Sequence, residues 1–334
     1  MRPIRVLSID GGGIRGIIPA RVLAELEAVA GRPISELFDV MVGTSIGGIA
    51  AMALALPRDG GMPDSAVDVG EFYVEHGPLI FPKTALAFPR TREDLRELIA
   101  RVGMQAAMFG SNPDAGNARY SAAPLEQALG KQFGDARLSE AICPVIVTAY
   151  DVTLGRPALF SSRTDNLLMR DVARATAAAP TVFPPKLLRA KDGTEHIYID
   201  GGIFANNPAM VGYAEAMELA GWHGLRIKTI QLVSIGTGIG KPERTAYDQF
   251  TEQSWLHLAE DMFQAGNRGR SFLDDALLRN LLGDHYHRFQ PILPADIAMD
   301  DASTEVMVAL RHIGDDYVAG ISGELSELAE RLIP

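Results

Sequence analysis

Hydrophobic and polar positions along the first two thirds of the chain switch repeatedly between strand-like runs and helical spacing. Ile4-Arg5-Val6-Leu7-Ser8-Ile9 reads as a strand. Val22, Leu23, Leu26 and Val29 then recur at helical spacing over 18–30, with Pro19 in the first turn and Gly31 as the stop. A second apolar run, 38–42, passes through Gly43-Thr44-Ser45-Ile46-Gly47 into an apolar helix that ends near Leu56. Strand, glycine turn and helix, twice in succession, open a mostly parallel sheet covered by helices. Buried strands follow at 142–149 and 227–235, with shorter ones at 157–161 and 197–199. Helices are expected over 120–133, over 167–179 before Pro180, and from Asn206-Asn207-Pro208 to about Ala220. The remainder, 252–333, reads as mainly helical, with Arg288-Phe289-Gln290 as an edge strand. No internal repeat, low-complexity tract or linker marks a second independent domain. The expected organisation is one catalytic unit over 4–240 and a helical part over 241–334 packed on it.

Between 57 and 118 the periodicity weakens and Pro, Gly and Met accumulate. A helix over 69–75, the apolar runs around Leu79-Ile80-Phe81 and Leu86-Ala87-Phe88, and a charged helix over 92–102 lie within it. Two readings stand side by side: an insertion packing its own small core, or a lid at a substrate entrance.

Composition narrows the function classes. A formal net charge of −11 argues against a nucleic acid polymer as partner and against an electrostatic hold on anionic membrane. The single cysteine, Cys143, sits in an apolar run, excludes an intramolecular disulfide framework and reads as a core residue. The N-terminus enters a strand with no signal-peptide run, and no apolar stretch reaches the roughly 18–20 residues of a transmembrane helix. A cytoplasmic protein acting at the membrane surface is the expectation.

The chemistry concentrates at strand ends. Gly-x-Ser-x-Gly between a strand and a helix is a nucleophile elbow, in which a sharp turn lifts the Ser45 hydroxyl above the sheet edge. Gly43 and Gly47 are needed there because a Cβ would clash with the adjoining strand or helix or forbid the backbone angles. Attack on a carbonyl requires donors for the oxyanion. Gly11, Gly12 and Gly13, following one strand and preceding a helix, can turn backbone N–H groups toward one point. Arg15 either assists by charge or fixes the loop through an ion pair. Gly11, Gly13 and Gly16 also satisfy the dinucleotide fingerprint Gly-x-Gly-x-x-Gly, but the next strand ends in Gly43-Thr44-Ser45, without the acidic residue that holds a ribose. Gly236-x-Gly238-x-Gly240 reads as a tight turn on the same sheet edge.

Two bases compete. His223, His257, His285, His287 and His312 all follow Asp200, so the order Ser, Asp, His is available, although none lies in a stretch suited to display at a strand end. Asp200 follows an apolar strand, precedes Gly201 and Gly202, and would emerge where Ser45 emerges. Partial burial would raise its pKa into a range useful for a base.

Taken together, Asp10-Gly11-Gly12-Gly13-Ile14-Arg15-Gly16, Gly43-Thr44-Ser45-Ile46-Gly47 and Asp200-Gly201-Gly202 resemble the patatin-like phospholipase family. The likeness continues through Phe72-Tyr73, the run 178–185, Asn206-Asn207-Pro208 and Ser234-Ile235-Gly236-Thr237-Gly238, and covers about 4–240. Ile46 where threonine is common and Gly202 where alanine is frequent are the departures. The resemblance implies a three-layer α/β/α fold with a central mostly parallel sheet. It also implies a Ser45–Asp200 dyad, without histidine, that hydrolyses acyl esters of phospholipids or lysophospholipids through an acyl-enzyme. Gly11–Gly13, with Arg15, would hold the oxyanion, and Leu79, Ile80, Phe81, Leu86 and Phe88 would line the acyl groove. No metal and no cofactor are called for. The resemblance extends to bacterial phospholipases of antiphage defence that are switched on by a cyclic nucleotide, so such an activator is a second expectation. A Ser-His-Asp esterase of another fold is a third, and homo-oligomerisation is compatible with each.

Overall fold

A computed structural model describes residues 3–58, 60–83, 118–190, 192–221, 230–240, 255–295 and 297–333, together with Glu93, Arg96 and Ala100. The expected positions Leu86, Phe88 and His223, the side chain of His257, most of the charged helix over 92–102 and the start of the strand expected at 227 lie outside them.

The main sheet is built from β1 (Ile4–Ile9), β2 (Val40–Thr44), β3 (Val145–Asp151), β4 (Arg156–Ser161), β5 (Lys186–Arg189), β6 (Glu195–Asp200), β7 (Ile230–Ile235) and β9 (Tyr286–Phe289). Neighbouring strands run parallel from β3 through β2, β1 and β7 to β9, and β4, β5 and β6 add antiparallel pairings. A separate parallel pair joins β8 (Ile239–Gly240) to β10 (Ile292–Leu293).

Side chains alternate faces along each strand, so each central strand supplies two cores. Leu7, Ile9, Met41, Val145 and Val147 face the larger one, with α1 (Ile17–Ala30), α2 (Ile34–Leu37), α3 (Ile46–Ala53), α4 (Ala66–Ile80), α5 (Ala123–Phe133) and α6 (Met169–Thr176). Val6, Val40, Val42 and Ile146 face the smaller one, beneath α8 (Ala209–Leu219), which follows the short α7 (Gly202–Ala205), and the end of α9 (Trp255–Leu282). The layers are therefore α/β/α. The last helix, α10 (Thr304–Leu332), returns to lie along α1, and buried Arg5 ties its end to the first strand by donating to the Leu332 carbonyl.

Several elements differ from their expected bounds for local reasons. The helix expected over 69–75 starts at Ala66 because Ser65 and Asp68 form a reciprocal capping box, and it carries Pro78 in its last turn. The helix expected from 120 begins at Ala123, after Arg119 and Tyr120 have donated their N–H groups to the Thr181 and Val182 carbonyls. Strand β5 was not expected, since Lys-Leu-Leu-Arg behind two prolines carries no turn or alternation signal of its own. The segment expected as an edge strand over 288–290 is a strand over 286–289 at the edge of the sheet, parallel to β7.

Strand β6 changes how Asp200 reaches the site. It runs antiparallel to β3, not parallel as a shared strand-end edge would suggest. Because β4 pairs with 146–151 of β3, the segments that pair with β2 (145–148) and β6 (149–151) occupy the other edge. On that edge Thr44 is the partner of Thr148 and Asp200 the partner of Ala149. The carboxyl ends of β2 and β6 thus meet head-on, which brings Ser45 and Asp200 together from 155 positions apart.

Candidate active site

Ser45 occupies φ 54°, ψ −125°, one of two positive-φ non-glycine residues among those described. The turn persists because the surroundings impose it. A Cβ on Gly43 would collide with the Gly47 carbonyl, and one on Gly47 with the Ile9 carbonyl, so strand and helix approach backbone to backbone. Below the turn, three buried threonines knit the strands together. Thr176 accepts the Ser45 N–H at 2.7 Å and donates to the Thr148 carbonyl at 2.6 Å. Thr44 donates to the Ala205 carbonyl at 2.6 Å, so Thr148 is the donor in the 2.7 Å bond between the two hydroxyls. A side chain on Gly201 would displace that Thr148 hydroxyl.

Asp200 is buried, its carboxylate accepts from the Gly202 N–H at 2.7 Å, and Ser45 lies close enough to favour its ionised form. Burial pushes its pKa up to about 6, against the opposing effect of the Gly202 N–H and of Ser45. A carboxylate so placed can take a proton from a hydroxyl beside it. Among the described histidines none lines the cavity over Ser45. His285 is bonded to Gln231 at 3.1 Å, His287 is partly buried behind β7, and His312 is exposed on α10.

The glycine loop after β1 reaches the same point, and a Cβ on Gly11 would lie 3.3 Å from that of Ser45. Its donors are not equivalent. The Gly11 N–H is spent on the Asn206 carbonyl at 3.0 Å and that of Ile14 on the Met299 carbonyl at 2.9 Å. Gly12 and Gly13 have no backbone acceptor among the described residues, which narrows the three glycines expected as donors to two. Gly13 has φ 55° and Gly12 lies against Thr237, so neither position accommodates a side chain. Gly16 sits where a Cβ would be 2.9 Å from the Tyr73 ring, and Arg15 is half-buried on the cavity wall.

That cavity, about 1410 Å³, opens over Ser45. Ile46, Ile49, Phe72, Tyr73, Ile80 and Phe81 form much of one wall. Phe81, Tyr120 and Phe183 extend it as a cluster of rings with centroids 5.3 to 6.0 Å apart. Of the expected groove residues, Ile80 and Phe81 face it. Leu79 does not: one helical position away, it is 63% exposed. Tyr120 and Phe183 were not expected in the groove, since 120 was read as the start of a helix and 183 lies in a loop, where periodicity carries no signal. Cys143 is buried and its thiol pushed up to about 12, chiefly by desolvation and further by Asp39.

Against known proteins, a family model described as patatin-like phospholipase matches residues 7–213. Patatin-like protein 2 of Oryza sativa subsp. indica is 34% identical over 235 residues, covering 65% of this chain and 54% of that protein. The chain therefore spans about half the length of this rice relative. Patatin-17 of Solanum cardiophyllum is 28% identical over 356 residues, 94% of this chain and 83% of the relative. Among solved structures, VipD from Legionella pneumophila superposes with a TM-score of 0.43 at 14% identity, covering 95% of this chain and 67% of that one. With the matched segment carrying the glycine loop, the serine elbow and the Asp200 strand in this order, the chain belongs to the patatin-like phospholipase family.

Proposed function

We propose that this protein is a lipid acyl hydrolase of the phospholipase A or lysophospholipase type, working through a Ser45–Asp200 dyad. The observation that carries the reading is the meeting of Ser45 with the buried Asp200 carboxylate at the ends of β2 and β6, beside the Gly12 and Gly13 N–H groups and under a cavity partly walled by aromatic rings.

In the first step the Ser45 Oγ attacks the ester carbonyl while Asp200 accepts the hydroxyl proton. The carbonyl oxygen, now negative, is held by the Gly12 and Gly13 N–H groups. Protonated Asp200 gives its proton to the departing alcohol, leaving Ser45 acylated. Water then attacks the acyl carbon with Asp200 again as base, and the carboxylic acid departs as Ser45 is reprotonated. The wall of Ile80, Phe81, Tyr120 and Phe183 would receive the acyl chain; of the region 57–118, the helix over 66–80 packs into the main core and forms part of that wall, not a lid.

Hydrolysis of a panel of phospholipids, lysophospholipids and neutral esters by wild type, Ser45→Ala and Asp200→Asn tests the reading. Loss of turnover in both variants, across every ester the wild type cleaves, is expected. An active Asp200→Asn protein would overturn the dyad, and silence of the wild type on all lipids, with and without added cyclic dinucleotides, would overturn the activity.

A further inference from the structure

Gly11, Gly12 and Gly13 have no side chains with which to hold themselves. Each glycine ordered there loses more backbone freedom than any other residue would, yet oxyanion donors act only if they are fixed before the reaction. The restraint must come from the flanks, and the structure supplies it from a part of the chain beyond the segment 7–213 that matches the family model.

Arg288, in β9, reaches under the loop. Its two terminal nitrogens bind the two Asp10 carboxylate oxygens at 2.8 and 2.6 Å, and one also donates to Ser234 at 2.8 Å. Both charged side chains are buried. Burial pushes the Asp10 carboxyl up while Arg288 draws it back toward the ionised form. Asp10 is the residue immediately before Gly11, so the planar fork sets where the loop leaves the sheet and in which orientation. The neighbouring contacts come from the same quarter. Gln290 Oε1 accepts the Gly238 N–H at 3.3 Å, and the Phe289 carbonyl accepts that of Gly236 at 2.8 Å. Between those glycines, Thr237 donates to the Gly11 carbonyl at 2.9 Å. Met299 closes the far end through Ile14.

We infer that Arg288 is a positioning residue for the oxyanion donors, acting through its buried bidentate pair with Asp10, and that the segment 286–299 completes the active site from outside the family-matched region. This rests on the hydrolase reading above. The pair touches no substrate; it holds the N–H groups of Gly12 and Gly13 in place.

The test compares wild type, Ser45→Ala, Arg288→Lys, Arg288→Gln and the doubly neutral Asp10→Asn/Arg288→Gln protein, with para-nitrophenyl butyrate as substrate. For the Arg288 variants kcat should fall about 10- to 100-fold with little change in KM, the size expected when donors are misplaced by about an ångström. The neutral pair, which leaves no buried unpaired charge, should regain much of the melting temperature lost in Arg288→Gln but not its turnover. A trifluoromethyl ketone, which becomes an oxyanion when Ser45 adds to it and Asp200 takes the proton, should lose affinity in proportion to kcat/KM. A non-hydrolysable ether lipid should bind as before. Turnover within about twofold of wild type in Arg288→Gln or the neutral pair, with Ser45→Ala dead, would overturn the inference and leave the hydrolase standing. Equal losses of ketone and ether-lipid binding would reduce Arg288 to a structural role. Full activity in Ser45→Ala would remove the hydrolase reading and this inference together.

Discussion

Asp200 is a buried carboxylate beside Ser45, with the Gly202 N–H as its hydrogen-bond donor. On the proposed dyad reading Asp200 is the base and works only when ionised, so kcat/KM should rise with pH through about 6 and level off above it, a limb that a pH–rate profile would show. The same shift has a cost in stability. With its folded pKa raised from 3.8 to about 6, the ionised form is penalised in the native state, fully above 6 and progressively less as pH falls toward 4. Asp200→Asn should therefore be more stable than wild type near pH 8, by on the order of 3 kcal/mol in chemical denaturation, and the gain should vanish near pH 4. A gain that grows on acidification would contradict this. Ser45, Asp200 and the glycines were legible because short motifs at strand ends expose them. Thr148, Thr176, Thr237 and Arg288 were not, because each acts through a partner 28 or more positions away that no local pattern announces.

At the scale of elements, the elbow and the head-on meeting of β2 and β6 make the site. Glycines there differ in tolerance. Gly43→Ala and Gly47→Ala drive a methyl into backbone, and should cost roughly 1–3 kcal/mol by chemical denaturation, with loss of activity. At Gly202 the nearest atom to an added Cβ is the Asp200 carboxylate oxygen at 3.1 Å, so Gly202→Ala should keep most of the turnover. Comparable losses at all three would count against the packing account. The parallel core of the sheet was readable from apolar runs ending in glycine. The direction of β6 was not, since an apolar strand followed by Gly-Gly looks the same whichever way its neighbour runs. Strand β5 was hidden by its brevity.

For the whole molecule, a net charge of −11 acts together with a cavity partly walled by aromatic and aliphatic side chains. No helix among the described residues is long and apolar enough to cross a membrane. On vesicles of anionic phospholipid, initial rates should rise as salt increases from about 0.01 to about 0.15 M, where the screening length shortens from about 30 to about 8 Å. Zwitterionic vesicles should show little change, and a fall in rate with salt would point instead to a basic docking face. Within the cavity, Phe81→Ser should weaken long-chain esters more than short ones, while Leu79→Ser, on the solvent side of the same helix end, should affect neither. The three layers were legible from the alternation of strands and helices. The closing of α10 over α1 and of β9 beneath the loop depended on contacts more than 270 positions apart.

The most direct test of the central pairing is the rate at which a fluorophosphonate labels Ser45, followed against pH by mass spectrometry of the modified peptide. Wild type should label with a rate that rises through about pH 6, and Asp200→Asn should label at least about 100-fold more slowly with no such rise. Labelling of Asp200→Asn at the wild-type rate, with the same pH dependence, would contradict the assignment of Asp200 as the base.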